Sequence, residues 1–269
     1  MKALLLAAGL GTRLRPLTDF LPKCLAPIGG RPLLEYWLAS LFRAGIEEIL
    51  VNTHHLPELV ESYIRWTPWS DRITLVREKV LAGTAGTVWL NREFFGKDAF
   101  LVAHADNFSV FDPAEMIQRH LKRPAETVMT MMTFETKTPW SCGIVDLDDR
   151  GVVIGFYEKV EDPPGTLANA AVYIIEKDVV DLMGALKSPH PDFSTEVLPK
   201  LMGRIYTHRN RVFHLDVGTL DTWLEAQSKA DLGQKELSAA TAWTRILDSD
   251  NFKIRRAFTE FERMVGSKN

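Results

Sequence analysis

A short stretch near the start of the chain could bind phosphate groups. The apolar segment 3–8 predicts a buried strand, and it ends in Gly9-Leu10-Gly11, which lets the backbone turn tightly and approach a ligand closely. Two cations, Arg13 and Lys23, follow this loop. Backbone amides and fixed cations after a strand are a common way to hold phosphates, so the stretch indicates polyphosphate binding.

The glycine loop alone leaves other interpretations open. It is not a dinucleotide-binding fingerprint, because Leu14 stands where the third glycine is required. It is not a P-loop either, because no Gly-Lys-Ser/Thr follows. An ordinary strand-to-helix turn beside a solvated lysine would give the same pattern. Phosphate binding therefore depends on what else the fold brings to this loop.

Two aspartates have the position and chemistry of magnesium ligands. Asp106 and Asp216 each lie at the end of an apolar segment that predicts a strand. Mg²⁺ prefers one or two carboxylates together with substrate phosphates, so this pair could clamp metal ions on a phosphoryl group. A turn or a helix cap would also explain either aspartate. His104 has no further ligands at zinc spacing, and we expect it to be structural.

Glu158 and Lys159 end a predicted β-hairpin. The segments 141–147 and 152–158 alternate in polarity around a turn at 148–151. Glu158 could accept hydrogen bonds from hydroxyl groups, and Lys159 could contact a phosphate. In isolation, an exposed ion pair at a sheet edge is the simpler interpretation.

Alternating elements would bring these residues together. The pattern predicts strands over 3–8, 48–52, 73–77, 99–103, 127–134, 168–175 and 212–216, and helices over 33–44, 57–66, 87–94, 113–123, 179–186, 195–202 and 220–231. The alternation over residues 1–106 predicts an α/β fold with a mostly parallel, doubly wound sheet. Ligands bind outside the carboxyl ends of such strands, so the Gly9 loop, Glu78, Gly83 and Asp106 should converge at one rim.

The composition limits the classes of function. Of the 269 residues, 46% are hydrophobic and 25% are charged, which is typical of globular proteins. The net charge of -3 gives no bulk electrostatic reason to expect nucleic acid or membrane as a partner. The two cysteines favour a reducing cytoplasm, and we expect neither a targeting segment nor a membrane span.

Taken together, the motifs resemble the signature of the sugar-1-phosphate nucleotidylyltransferases. This family includes glucose-1-phosphate thymidylyltransferase, mannose-1-phosphate guanylyltransferase and N-acetylmuramate-1-phosphate uridylyltransferase. The resemblance runs in order through residues 6–18, Pro22-Lys23, 83–86, Asp106, Cys142-Gly143, Glu158-Lys159, Asn169-Ala170 and 216–219. It implies a Rossmann-like nucleotidyltransferase domain over 1–232 with a sugar-binding β-hairpin region. The nucleotide half would be 1–110 and the sugar half 111–232. Residues 233–269 would form a C-terminal helical extension through which homo-oligomers could assemble.

The resemblance also implies a reaction and a role for each residue. The sugar 1-phosphate would attack the α-phosphorus of a nucleoside triphosphate in line, with Mg²⁺ as cofactor and pyrophosphate as leaving group. Arg13, Lys23 and Asp106 would be catalytic, and Asp106 and Asp216 would hold the metal. The implied nucleotide-binding residues are Leu6, Ala7, Ala8, Gly9, Gly11, Thr12, Glu78 and Gly83. The implied sugar phosphate-binding residues are Gly143, Glu158, Lys159 and Asn169.

The base and the sugar are less closely specified. Ala82, Ala105 and Val160 stand where relatives often have leucine, glycine and proline, and the first two weaken any transfer of base specificity. The short form and the segment 51–55 resemble guanylyl- or uridylyltransferases more than thymidylyltransferases. A catalytically weak regulatory homologue that binds nucleotide sugars is the alternative, and the presence of the implied catalytic residues argues against it.

Overall fold

The computed structural model describes residues 1–234 and Arg263. The strands of this part of the chain are β1 Ala3–Leu6, β2 Pro27–Ile28, β3 Arg31–Pro32, β4 Ile49–Thr53, β5 Ile73–Arg77, β6 Phe100–His104, β7 Asn107–Val110, β8 Met129–Glu135, β9 Gly143–Leu147, β10 Val153–Glu158, β11 Leu167–Ile175, β12 Ile205–Arg209 and β13 Phe213–Asp216. The α-helices are α1 Leu33–Arg43, α2 Pro57–Trp66, α3 Thr84–Leu90, α4 Arg92–Phe95, α5 Pro113–Leu121, α6 Lys177–Gly184, α7 Leu220–Ser228 and α8 Ala230–Gln234.

A nine-stranded sheet forms the centre of the fold. Along its main path the strand order is β10-β9-β11-β6-β1-β4-β5, and β8 joins β11 to β12 beside that path. The four strands β6, β1, β4 and β5 are parallel neighbours. The second half of the chain adds the antiparallel strands β9, β10 and β11. The predicted α/β class with a central, largely parallel sheet is therefore confirmed.

Both faces of the sheet are covered because its central strand is apolar on both sides. Ala3 and Leu5 of β1 pack into one hydrophobic cluster, which includes residues of α1 and α2. Leu4 and Leu6 point the other way into a second cluster, which includes residues of α3 and α6. Successive strand residues face opposite sides, so a continuous apolar run requires a layer of helices on each face.

Three helix predictions need correction. The helix predicted over 220–231 is interrupted at Lys229, where α7 ends and α8 follows. The helix predicted over 87–94 begins earlier, at Thr84, and is interrupted at Asn91, where α3 ends and the short α4 follows. The helix predicted over 195–202 is a π-turn at Phe193–Val197 followed by a 3₁₀ turn at Leu198–Leu201. Pro199 lies in this second turn, and its missing N–H prevents a regular α-helical ladder.

The strand predicted near residue 216 forms, but it lies outside the main sheet. β13 pairs with β7 in a separate antiparallel ribbon, in which Asp216 is directly opposite Asn107. The sequence analysis did not predict β7. This ribbon places Asp216 next to the segment that carries Asp106.

None of the helices in the described part of the chain combines the length and the apolar character that crossing a membrane would require. The predicted extension over 233–269 lies outside the described residues apart from its first two positions and Arg263.

Candidate active site

The glycine loop is shaped by a close contact with the segment that follows it. Gly11 has a φ of +62°, and a Cβ atom there would lie 2.7 Å from the Thr18 methyl group. The Thr18 hydroxyl donates a hydrogen bond to the Gly11 carbonyl at 2.8 Å. Glycine is needed at this position because the backbone is left-handed and the space for a side chain is already filled. Thr12 and Arg13 then begin a 3₁₀ turn and are exposed.

The end of β1 is tied to the next strand by Asn52. The Asn52 amide oxygen accepts a hydrogen bond from the Ala7 N–H at 2.8 Å, and its amide nitrogen donates to Glu78 at 2.8 Å. Asn52 is buried at the end of β4, so these bonds satisfy an otherwise costly polar group. The sequence analysis did not single out Asn52, although it ends a predicted buried strand at the same rim.

The Glu78 carboxylate organises the second glycine turn. Besides the Asn52 amide, it accepts the Thr87 hydroxyl at 2.5 Å and the Ala82 N–H at 3.0 Å. Gly83 has a φ of +82°, and a Cβ atom there would lie 2.5 Å from the carbonyl oxygen of Pro191. The Glu78 carboxylate therefore holds the turn on one side, and the backbone of His190 and Pro191 packs against it on the other.

Lys23 lies between the two predicted metal ligands. Its ammonium group is 2.7 Å from an Asp106 oxygen and 2.9 Å from an Asp216 oxygen, and its side chain is only 7% exposed. Arg13 approaches the other Asp216 oxygen at 3.4 Å from an exposed position. Two basic residues predicted from the glycine loop thus meet two aspartates from the ends of distant strands.

The charges of this cluster stabilise one another. Burial on its own would lower the pKa of Lys23, but the carboxylates of Asp106 and Asp216 outweigh it and raise that pKa. Burial would likewise raise the pKa of Asp106, but the Lys23 ammonium and His104 outweigh it and hold that pKa below its ordinary value. The cluster is therefore charged at neutral pH.

The aspartate pair fits the needs of Mg²⁺ only in part. The described residues contain no group of three or more histidine, cysteine or acidic side chains that could enclose a metal ion. Two carboxylates are nevertheless what Mg²⁺ takes from a protein when substrate phosphates supply the remaining oxygens. Lys23 uses the same two carboxylates, so the metal and this lysine would have to share them.

A cavity of about 210 Å³ opens beside this cluster. We call it the nucleotide-side cavity, after the predicted nucleotide-binding residues in its wall. Of the predicted nucleotide-binding residues, Leu6, Ala8, Gly9, Glu78 and Gly83 line it. Ala7, Gly11 and Thr12 do not, and Ala7 and Gly11 instead hold the loop through the bonds described above. Asn52, Leu81, Thr84 and Thr87 complete the wall together with His104 and Asp106.

A second cavity, of about 500 Å³, lies on the hairpin side. All four predicted sugar phosphate-binding residues line it, as do Arg13, Asp106 and Asp216. Its wall also contains residues that the sequence analysis did not assign to the site, namely Asn107, Phe134, Thr136, Thr138, Ser141, Cys142, Ala170, Ala171, Ser194, Leu215, Gly218, Thr219, Thr222 and the two histidines His104 and His214.

The hairpin residues are fixed by local contacts. A Cβ atom at Gly143 would lie 2.6 Å from the Phe156 ring and 2.7 Å from the Glu158 carboxylate, so the glycine lets the two strands close over the cavity. Lys159 adopts a left-handed φ of +50°, which a lysine rarely does, and pairs with Glu158 at 3.1 Å. Asn169 holds a bulge in β11 by bonding Tyr173 and the Ala171 N–H.

The two histidines share a spacing that could have identified them. His104 and His214 stand two positions before Asp106 and Asp216. His214 and Asp216 are both on β13, where residues two apart face the same side, whereas His104 ends β6 and Asp106 lies in the turn that follows. The His214 ring contacts Phe134 at 4.3 Å and hydrogen-bonds Ser109 at 2.6 Å. Burial lowers the pKa of His214 to about 4, so this ring is neutral at neutral pH.

The two cavities meet at one point. His104 and Asp106 line both of them, and no other described residue does. Such a fold and site define an α/β protein with two adjoining cavities and a cluster of charged side chains beside the place where they join.

Comparisons with known proteins agree with this class. The family model described as "Nucleotidyl transferase" matches residues 2–232, and the chain belongs to this family. A UTP–glucose-1-phosphate uridylyltransferase from Synechocystis is 32% identical over 216 residues, which cover 75% of this chain and 55% of that protein. A mannose-1-phosphate guanylyltransferase from Mycobacterium tuberculosis is 30% identical over 235 residues, which cover 86% of this chain and 64% of the relative.

The fold has a counterpart among solved structures. A crystal structure of a candidate glucose-1-phosphate thymidylyltransferase from Bacillus anthracis superposes with a TM-score of 0.77 at 20% identity, covering 91% of this chain and 99% of that one. At this identity the likeness establishes the fold. The match to the two curated relatives above spans only 55% and 64% of their lengths.

Proposed function

We propose that this chain transfers a nucleoside monophosphate from a nucleoside triphosphate to a sugar 1-phosphate and releases pyrophosphate. The observation that carries the proposal is the junction of the two cavities at Asp106, beside Lys23 and Asp216. Transfer between two anionic substrates needs a separate cavity for each and a charged point of contact between the reacting phosphates.

The charged residues have distinct roles in this proposal. The attacking oxygen of the sugar phosphate is already anionic, so catalysis consists mainly of positioning and charge neutralisation. Arg13 is 69% exposed and only loosely paired, so it is available to bind the triphosphate and the leaving pyrophosphate. Lys23 is buried and fixed, and it would steer the phosphates at the reacting centre. Lys159 would bind the sugar phosphate from the opposite wall.

Magnesium is the proposed cofactor. Asp106 and Asp216 would hold it, and when bound it supplies positive charge to the transferring phosphoryl group. Lys23 would keep the two carboxylates compensated when the metal is absent, because its ammonium contacts both of them.

The base and the sugar are proposed from weaker signals. We favour guanylyl or uridylyl transfer over thymidylyl transfer because the short form and the segment 51–55 resemble those enzymes; uridylyl-, guanylyl- and thymidylyltransferases are all among the similar proteins. The Glu78 carboxylate already accepts three hydrogen bonds, so it would shape the base cavity while neighbouring backbone reads the base. The two free cysteines support the proposed cytoplasmic location. We also propose that homo-oligomers assemble through residues 233–269.

A pyrophosphate-release assay tests the function. The protein would be incubated with Mg²⁺, each of four nucleoside triphosphates and a panel of sugar 1-phosphates that includes glucose, mannose and N-acetylmuramate derivatives. We expect one pair of substrates to give rapid release. We expect Asp106→Asn to lower turnover by on the order of 10²-fold or more, because it removes a metal ligand and the partner of Lys23.

A matched control separates this effect from a general loss of charge. Asp149 is an exposed aspartate at the turn of the β9–β10 hairpin, outside both cavities, and Asp149→Asn should keep the full rate. Absence of release with every pair would contradict the proposed activity. If the protein then still bound an NDP-sugar, the regulatory alternative would take its place.

A further inference from the structure

His104 occupies the junction of the two cavities. It ends β6, pairs with Leu6 of β1 and comes two residues before Asp106. Its side chain lines both the nucleotide-side and the hairpin-side cavity, a property that among the described residues it shares with Asp106 alone. Asp106, however, is bound to Lys23 at 2.7 Å. Asp106 is an acceptor that Lys23 engages and that is proposed to bind Mg²⁺, so His104 is the side chain in this shared wall that can donate a hydrogen bond to a substrate.

The imidazole of His104 makes no hydrogen bond to any residue in the described part of the chain. Four other histidines are held by hydrogen bonds to backbone or side-chain groups, namely His54, His55, His120 and His214. The buried His208 of β12 also makes no ring hydrogen bond among the described residues, but it lies outside both cavities, so it is the position of His104 that sets this histidine apart. A neutral imidazole carries one N–H donor whichever tautomer it adopts, so it can donate a hydrogen bond without being protonated.

We propose that His104 is a catalytic residue that donates a hydrogen bond to a non-bridging oxygen of the α-phosphoryl group during transfer. This role rests on the proposed function. In the transfer a bond forms between the sugar phosphate oxygen and the α-phosphorus, and the bond from that phosphorus to the bridging oxygen of the pyrophosphate breaks. The electron pair leaves with pyrophosphate, and no proton moves from His104.

The place of the contact follows from the cavities. If one cavity holds the nucleoside and the other holds the sugar, the α-phosphorus that becomes bonded to both must lie beside the residues that line both cavities. A hydrogen-bond donor at this position would stabilise the negative charge that is spread over the phosphoryl oxygens in the transition state. A strand end gives the donor a fixed position, because β6 is bonded to β1 on one side and β11 on the other.

The first test compares two substitutions at this position. His104→Phe keeps an aromatic ring without a donor, whereas His104→Gln retains an N–H donor on a flexible side chain. We expect His104→Phe to lower kcat at least tenfold with little change in either KM and no change in the urea midpoint, and His104→Gln to recover part of the rate. The control Asp149→Asn, in the exposed turn of the β9–β10 hairpin outside both cavities, should leave the rate unchanged.

A second readout does not depend on rate alone. The α-thio analogues of the nucleoside triphosphate replace one or the other non-bridging oxygen by sulfur, which is a poor hydrogen-bond acceptor. For one of the two diastereomers, we expect the ratio of the oxygen rate to the sulfur rate to be large in the wild-type protein and at least several-fold smaller in His104→Phe. A purely structural histidine would leave both ratios unchanged.

The outcomes separate the two proposals. If the wild-type protein releases pyrophosphate from no pair of substrates, the proposed function fails and takes the role of His104 with it. If the wild-type protein turns over and His104→Phe keeps its rate and both thio ratios, the proposed function stands and the role of His104 is wrong.

Discussion

Replacing Lys23 by methionine tests whether the charged cluster is organised as described. Methionine keeps an unbranched apolar stem of similar length and removes only the ammonium group. Lys23 is 7% exposed and Asp106 is 29% exposed, so the variant leaves a largely buried carboxylate without its cation. Breaking such a pair costs about 3–5 kcal/mol in buried sites. The Asp216 carboxylate is 53% exposed, so losing its contact with Lys23 adds little to this cost, because water screens the charge.

We therefore expect Lys23→Met to lower the free energy of unfolding by about 3 kcal/mol near neutral pH, the lower end of that range because Asp106 keeps some contact with water. Urea unfolding followed by circular dichroism measures this loss. Saturating Mg²⁺ should restore part of it if the aspartates bind the metal, because a ligand that binds only the folded state stabilises it. Lys23→Met combined with Asp106→Asn should recover most of the loss, since the uncompensated charge is then gone.

The stability difference between the wild-type protein and Lys23→Met should depend on pH in a defined direction. In the wild-type protein the pKa of Asp106 lies below its ordinary 3.8, so its contribution to stability is present above that value and is lost as the pH falls through the folded pKa. Without Lys23, burial raises the pKa of Asp106, and stability is lost as the pH rises. The difference between the proteins should therefore grow from about pH 4 to about pH 7. A loss below about 1 kcal/mol at neutral pH, or no recovery in the double variant, would refute this account of the cluster.

Three further predictions concern other parts of the described chain. In the folded protein a thiol reagent should modify Cys142, which lines the hairpin-side cavity, and spare Cys24, whose pKa burial raises to about 12; equal rates would contradict this. Burial lowers the pKa of His120 to about 4, so the free energy of unfolding should fall by up to about 3 kcal/mol between about pH 6.5 and pH 4 in urea titrations, and His120→Gln should flatten that slope. Gly83→Ala should destabilise the fold by about 3 kcal/mol or more because its Cβ would meet a backbone oxygen at 2.5 Å; the control Gly96→Ala, at φ +71° in open space, has the backbone strain without the clash and should cost clearly less, and equal losses would argue against the clash.

The parallel half of the fold could be predicted because its signals are local. The helix Pro57–Trp66 and the strand Ile73–Arg77 have the predicted bounds, since each combines a clear period with a proline or polar boundary. The convergence of the glycine loop and Asp106 at one rim also followed from the sequence, because parallel strands end on the same side.

The remaining features depend on contacts that no local pattern specifies. The strand β7 has only four residues, and its partner β13 lies about 100 residues later, so nothing in Asn107–Val110 alone predicts the pairing. The position of the Lys23 ammonium between two aspartates is set by the fold, because a flexible four-carbon stem does not fix where its charge lies. The family resemblance implied that Asn169 binds the sugar phosphate, and the structure shows that its side chain also holds a bulge in β11.

The β7–β13 ribbon has a consequence for the order in which the protein becomes competent during synthesis. A nascent chain that ends near residue 200 contains the parallel strands β1, β4, β5 and β6 and the glycine loop, but it lacks β13 and therefore Asp216. Contacts between segments so distant in sequence form late, because the intervening chain must close a long loop first. A ribosome-bound chain can thus form the parallel strands of its sheet before Asp216 is in place. At that stage Lys23 has one carboxylate partner, whereas in the finished protein it has two.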